Sequence, residues 1–182
     1  VSPPVGAALA GGTRRASVFA LDDGPPRDSC LRPVSLGSRS SWAAAHRDLY
    51  VWAAPEPDGG PPNTWLSVFG GPAWTLDART GQYYLHNFLP QQPDLNWWNP
   101  HVRDAFDAIY RFWFDRGVAG FRIDVAHGIV KDRELRDNPL ATPQDPAHVR
   151  AQGQRTVYNR GRPDVPDVLR RCGRHANSDQ PP

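Results

Sequence analysis

The sequence predicts an α/β fold, and three observations carry that prediction. Residues 99–117, "NPHVRDAFDAIYRFWFDRG", show helical periodicity with both ends marked. "VAGFRID" at 118–124 follows at once and reads as a short buried strand closed by a carboxylate. After a long polar loop, "RPDVPDVLRR" gives a weaker helix, interrupted by Pro166. Helix, glycine turn, strand, loop, helix is the rhythm of a parallel α/β architecture.

Along the chain, residues 1–45 are rich in Gly, Pro, Ser, Arg and Ala, and "LDDGPPRDSCLRPVSLGSRSS" has too little apolar surface to offset the entropy of ordering it. This arm is expected to be disordered or poorly ordered. Residues 46–98 form an aromatic-rich, turn-rich subdomain in which "TLDARTGQYYLHNF" predicts two short strands joined through "DARTG", with Gly81 at the turn. Most of its rings, from Trp52, Trp65, Phe69, Trp74, Tyr83, Tyr84, Phe88, Trp97 and Trp98, are expected in the core; stacking on sugar rings is the other use of such residues.

Residues 99–171 hold the helix, the strand and the weaker helix. Asn99 suits the N-cap, Pro100 the first helical position and Gly117 a left-handed stop. Val102, Phe106, Ile109, Tyr110 and Trp113 fall on one stripe, while Arg103, Asp107 and Arg111 run down the other side with alternating sign. Residues 172–182 read as a disordered tail.

Bulk composition bounds the function. The 182 residues suffice for one ordinary domain, and 21 basic against 19 acidic residues leave a formal charge of +2, which gives no reason to expect nucleic acid or an anionic membrane as partner. No stretch approaches the ~18 apolar residues of a membrane span, so a soluble, cytoplasmic protein is expected. Cys30 and Cys172 lack partners at metal-ligand spacing and read as reduced thiols. No residue present requires a metal or an organic cofactor. The chain begins at Val1 and contains no Met, which reads as a fragment of a longer protein.

The chemistry should sit where the strand ends. In parallel α/β folds the reactive groups project from the carboxyl ends of strands, and Asp124 occupies such an end. Phe121 and Ile123 share one parity and Arg122 and Asp124 the other, so a guanidinium lies beside the carboxylate. That neighbour favours the ionised form, as a carboxylate nucleophile requires. On spacing alone, a strand-end Asp that caps the next segment and pairs with Arg for solubility is the readier explanation.

Here the residues match something specific. "GVAGFRIDVAHG" resembles the second signature region of glycoside hydrolase family 13, the α-amylase family; "QPDLNWWNP" looks like the segment marking its oligo-1,6-glucosidase and α-glucosidase branch, and "NTWLSVFGGPAW" is similar to part of that branch's domain B. The likeness covers residues 46–170. It implies a fragment of a (β/α)8 TIM barrel, comprising the third helix, the fourth strand and the start of the fourth helix, with part of the inserted domain B. It also implies a retaining glycosidase acting on α-glucosides in carbohydrate metabolism, with oligosaccharides as the binding partner and α-1,4 or α-1,6 linkages as targets.

Carried over residue by residue, Asp124 is the nucleophile and Arg122 the guanidinium that orients it. His127 and Phe88 are substrate-binding candidates, and Val125 occupies a position where Val leans toward α-1,6 bonds. Thr64 stands where the branch usually has Asn, and Pro72 where it has Ser. The family's acid, a Glu at the end of the fifth strand, has no counterpart, because Glu56 and Glu134 are the chain's glutamates and neither has that context. A barrel of this type takes about 250 residues, so the chain alone is expected to be inactive. The competing expectation is a non-catalytic relative serving as a binding or partner module, against which the retention of Arg122 and Asp124 speaks.

Overall fold

The computed structural model describes residues 15–18, 46–118 and 120–178. Strand β1 (Arg15–Val18) pairs in parallel with β5 (Gly120–Ile123), from Arg15 opposite Gly120 to Val18 opposite Ile123. Residues 15–18 belong to the arm expected to lack order, and their backbone takes this strand. The backbone edge of β5 supplies hydrogen-bonding partners to a segment whose own composition could not order it. The rest of residues 1–45, including Cys30, lies outside the described residues.

The aromatic-rich unit is a small antiparallel sheet of β2 (Trp52–Ala53), β3 (Trp74–Asp77) and β4 (Gln82–Leu85), in the order β2-β4-β3. The predicted hairpin is present. Thr80 and Gly81 donate to the Asp77 carbonyl at 3.1 and 2.8 Å, and Gly81 has φ 68°, a conformation that favours glycine. Trp65, Ala73, Trp74 and Leu85 form the core of this unit, with the two indoles stacked at 6.0 Å. Their polar edges are satisfied: Trp74 donates to Asn63 and Trp65 to the Arg136 carbonyl, both at 2.8 Å. Most rings are therefore core, as expected, and Phe69 at 66% exposure is an exception.

Helix α1 (Pro100–Phe114) begins as the sequence indicates, with the Asn99 side chain accepting from the His101 N–H at 2.9 Å. It ends in a Schellman-type closure: Gly117 (φ 80°) donates to Phe114 and Val118 to Trp113. Val102, Phe106 and Tyr110 are buried on the predicted stripe. Asp107 was expected on the solvent side but is also buried, because Arg171 of α3 (Val165–Ser178) reaches across to its carboxylate at 2.6 Å. Helix–helix packing, invisible in a single helix's pattern, decides that position.

Two further expectations change. Pro166 does not interrupt α3; it lies in the helix's first turn, where its missing N–H costs nothing. The helix also runs through Cys172 to Ser178, into the stretch read as a tail. Cys172 is free and half-buried, and burial raises its thiol pKa. A short helix, α2 (Ala147–Gln152), interrupts the long loop.

The main core joins both halves of the chain: Tyr50, Leu95 and Trp97 pack with Val102, Phe106 and Tyr110 of α1 and with Ile129, Val130 and Val165. Among the described residues, no helix is long and apolar enough to cross a membrane.

Candidate active site

The site grows from the alternation of β5. Phe121 faces α1, meeting the rings of Tyr110 and Phe114 at 5.0 Å each, and Ile123 packs on the same core. Arg122 and Asp124 occupy the opposite parity and lie open, with side chains 68% and 49% exposed. The strand is thus half-buried rather than buried as the apolar run suggested, because the core covers only one of its faces. On the open face, Arg122 Nη2 lies 3.5 Å from Asp124 Oδ2, the juxtaposition that strand parity predicts.

The other carboxylate oxygen is held locally. Asp124 Oδ1 accepts the Val125 N–H at 3.1 Å. Val125 itself has φ 47° and ψ 29°, in the left-handed region that a β-branched residue adopts at a cost of about 1–2 kcal/mol. The chain then closes a 3-10 turn, Ala126–Gly128, in which Gly128 donates to the Val125 carbonyl at 2.8 Å. His127 is exposed in this turn, and its carbonyl accepts from Gly161 at 2.7 Å. Arg122, Asp124, Val125 and His127 therefore lie at one strand end.

Phe88 joins by a different route. Its ring is half-buried and meets Phe69 edge-on at 5.9 Å. The preceding residue, Asn87, donates to Asp94 at 2.6 Å and accepts from Asn159 at 2.9 Å, two residues before the Gly161 that bonds His127. Asn138 continues this web by donating to Asn159 at 2.9 Å and to Gln154 at 2.8 Å. A buried polar network so connects the segment carrying Phe88 with the turn carrying His127.

Sequence reasoning missed the centre of that network. After Gly128, Ile129 and Val130 enter the main core and Lys131 follows them inside at 4% exposure. Its ammonium lies 2.7 Å from Asp94 Oδ2, on a carboxylate that is fully buried, and donates to the Gly128 carbonyl. The available signal was that "GIVK" places the chain's sole lysine directly behind an apolar run. Next to it, Asp132 is buried between Arg136 and Arg162, whose guanidinium nitrogens lie 2.6 and 3.1 Å away. The Arg136 hydrogen bond holds the Asp132 carboxyl below its ordinary pKa range. Thr64, at a position that departs from the resemblance, keeps its bonding through backbone N–H and hydroxyl to Asp137 at 2.8 Å each.

A cleft of about 620 Å³, lined by Tyr50, Trp52, Trp98, Lys131 and Arg133 among others, lies elsewhere and includes none of the predicted site residues. The paired charges, the strand end and the strained turn coincide instead at Asp124. Among the described residues, no group of three or more His, Cys, Asp or Glu side chains is placed to hold a metal ion.

Comparisons with known proteins agree on one family. Residues 35–179 match the model described as "Alpha amylase, catalytic domain", a longer stretch than the 46–170 covered by the motifs. The chain is 49% identical over 145 residues to a probable alpha-glucosidase of Rhizobium meliloti, covering 76% of this chain and 26% of that protein. It is 50% identical over 103 residues to an oligo-1,6-glucosidase of Heyndrickxia coagulans, covering 57% of this chain and 19% of that protein. Among solved structures, an alpha-glucosyl transfer enzyme superposes with TM-score 0.74 at 41% identity, covering 80% of this chain and 28% of the other. The trehalose-6-phosphate hydrolase of Bacillus licheniformis gives 0.67 at 35% identity, covering 80% and 24%. The chain spans about a quarter of the length of the relatives it matches.

Proposed function

The chain belongs to the α-amylase family, and from that membership we propose that it is the nucleophile-bearing segment of a longer, retaining α-glucosidase-type hydrolase. In this reading β5 is the fourth strand of the (β/α)8 barrel, α1 the third helix, α3 the start of the fourth, and the β2–β4 sheet part of domain B. The observation that carries the reading is the Arg122–Asp124 pair on the open face of β5, at its carboxyl end.

The chemistry follows from how the two carboxylate oxygens are held. The Val125 N–H fixes Oδ1 and the Arg122 guanidinium faces Oδ2, so the group is oriented before substrate arrives. One oxygen attacks the anomeric carbon of an α-glucosyl unit. The bond from that carbon to the leaving oxygen breaks, and the departing alcohol takes its proton from a carboxylic acid. Water then cleaves the glycosyl–aspartate ester, with loss of its proton to the same group.

That acid is not Glu56 or Glu134: both are exposed, and Glu134 is engaged by Arg136 at 3.4 Å. Lacking it, the chain alone forfeits a contribution of about 10²- to 10⁴-fold and is inactive or nearly so. His127, beside the nucleophile, and Phe88, which follows the Asn87 that bonds Asn159, contribute to substrate binding. Val125 favours α-1,6 over α-1,4 linkages. The substrates are α-linked gluco-oligosaccharides.

The deciding experiment uses the full-length protein that contains this chain. Treated with a 5-fluoro-glucosyl fluoride, which supplies its own leaving group and traps the ester, it should carry one label, on the peptide containing Asp124. It should also hydrolyse an aryl α-glucoside. A folded protein that does neither, or that is labelled on another carboxylate, refutes the proposal.

A further inference from the structure

We infer that Lys131 is a positioning residue for Asp124: its ammonium, sealed between the Asp94 carboxylate and the Gly128 carbonyl, holds the left-handed turn at Val125 on which the orientation of the Asp124 carboxylate depends. The assignment rests on the reading of Asp124 as nucleophile.

A continuous chain of contacts links the two aspartates. Asp94 Oδ2 meets Lys131 Nζ at 2.7 Å, Lys131 Nζ donates to Gly128 O, Gly128 N donates to Val125 O at 2.8 Å, and Val125 N donates to Asp124 Oδ1 at 3.1 Å. The far end is immobile. Asp94 is fully buried and also accepts two bonds from Asn87, at 2.6 and 3.2 Å. The Lys131 backbone is fixed independently, since its carbonyl accepts the Trp98 indole N–H at 2.9 Å.

The near end is the strained one. A valine at φ 47° persists only where its surroundings over-determine the conformation. With Gly128 released, Val125 relaxes toward negative φ, its N–H turns away from Oδ1, and Arg122 is left to direct the carboxylate from the other side. Lys131 is 4% exposed and its ammonium is engaged by Asp94 and the Gly128 carbonyl, so its influence on the reaction passes through the turn. A compact ammonium suits this position better than a planar guanidinium, because it must meet a carboxylate and a backbone carbonyl in one small buried space.

The test has two arms. On the chain itself, native-state hydrogen exchange compares wild type with Lys131→Met. The Val125, Gly128 and Gly161 amides should lose protection by about tenfold or more beyond any loss shared by the β3–β4 amides. In the full-length protein, Lys131→Met should slow fluoroglycoside trapping at Asp124 by about 10²-fold, lowering kcat with little change in KM, as expected for a misdirected nucleophile.

Unchanged exchange at Gly128, or unchanged trapping in a folded variant, overturns the inference. Should Lys131→Met lose β3–β4 protection as well, Lys131→Arg, which retains the charge, is read by the same criteria. A wild-type protein that never traps at Asp124 removes the nucleophile reading instead, and the exchange arm still decides whether the clamp exists.

Discussion

Asp94 and Asp124 are carboxylates at opposite ends of one hydrogen-bonded path, and their surroundings are reversed. Asp94 is fully buried, neutralised by an ammonium at 2.7 Å and surrounded by amide donors. Asp124 is half exposed, with a guanidinium at 3.5 Å and a single backbone N–H on its other oxygen. A buried ion pair with satisfied lone pairs specifies geometry, and breaking it leaves an unpaired charge in a low-dielectric interior. A loosely paired carboxylate on an open face contributes little to stability and remains available to a substrate. A buried anchor and an exposed carboxylate are thus connected through a strained turn.

The largest test of that contrast is Asp124→Asn in the full-length protein. It should lower kcat by about 10⁴-fold or more while changing stability by only about 0.5 kcal/mol, as read from turnover and a urea titration. A stability loss matching that at Asp94 would erase the distinction. Next, Lys131→Met should destabilise the chain by about 3–5 kcal/mol in urea, and pairing it with Asp94→Leu should recover most of that loss, since an apolar pair replaces the ionic one.

A smaller effect is expected at Asp132, whose carboxyl is held low chiefly by its hydrogen bond to Arg136. A lowered folded-state value means that the unfolded chain binds the proton first. The associated stability is therefore present above the ordinary carboxylate range and lost as pH falls through that range toward the lowered value. Thermal melts from pH 7 to pH 3 should show a shallower acid decline in Asp132→Asn than in wild type. Smallest of all, Val125→Gly should shift stability by no more than about 1 kcal/mol, because relief of about 1–2 kcal/mol of left-handed strain is offset by glycine's backbone entropy and lost side-chain contact. A large loss would show that the turn is held by packing of the valine rather than by the Lys131 clamp.

Much of this arrangement is legible residue by residue. The ends of α1 depend on Asn99 and Gly117, and the β3–β4 turn on Gly81; each acts within a few positions of itself. The Arg122–Asp124 pairing needs only the alternation of a strand. The clamp was not legible, because nothing near Lys131 in sequence announces Asp94, and a lysine's ordinary place is at the surface. Asp107 illustrates the same limit: its helical neighbours place it with the solvent-facing charges, and a guanidinium from α3 takes it inside.

By itself, then, the sequence determined the family, the helix and hairpin boundaries, and which strand end carries the carboxylate, since these follow from local backbone preference and short motifs. Tertiary structure alone decided which charges are buried, that Arg15–Val18 forms a strand against β5, and that the Asp124 turn is tied to the aromatic-rich unit. Those outcomes depend on desolvation and backbone pairing between distant segments, free energies that exist only once the segments have met.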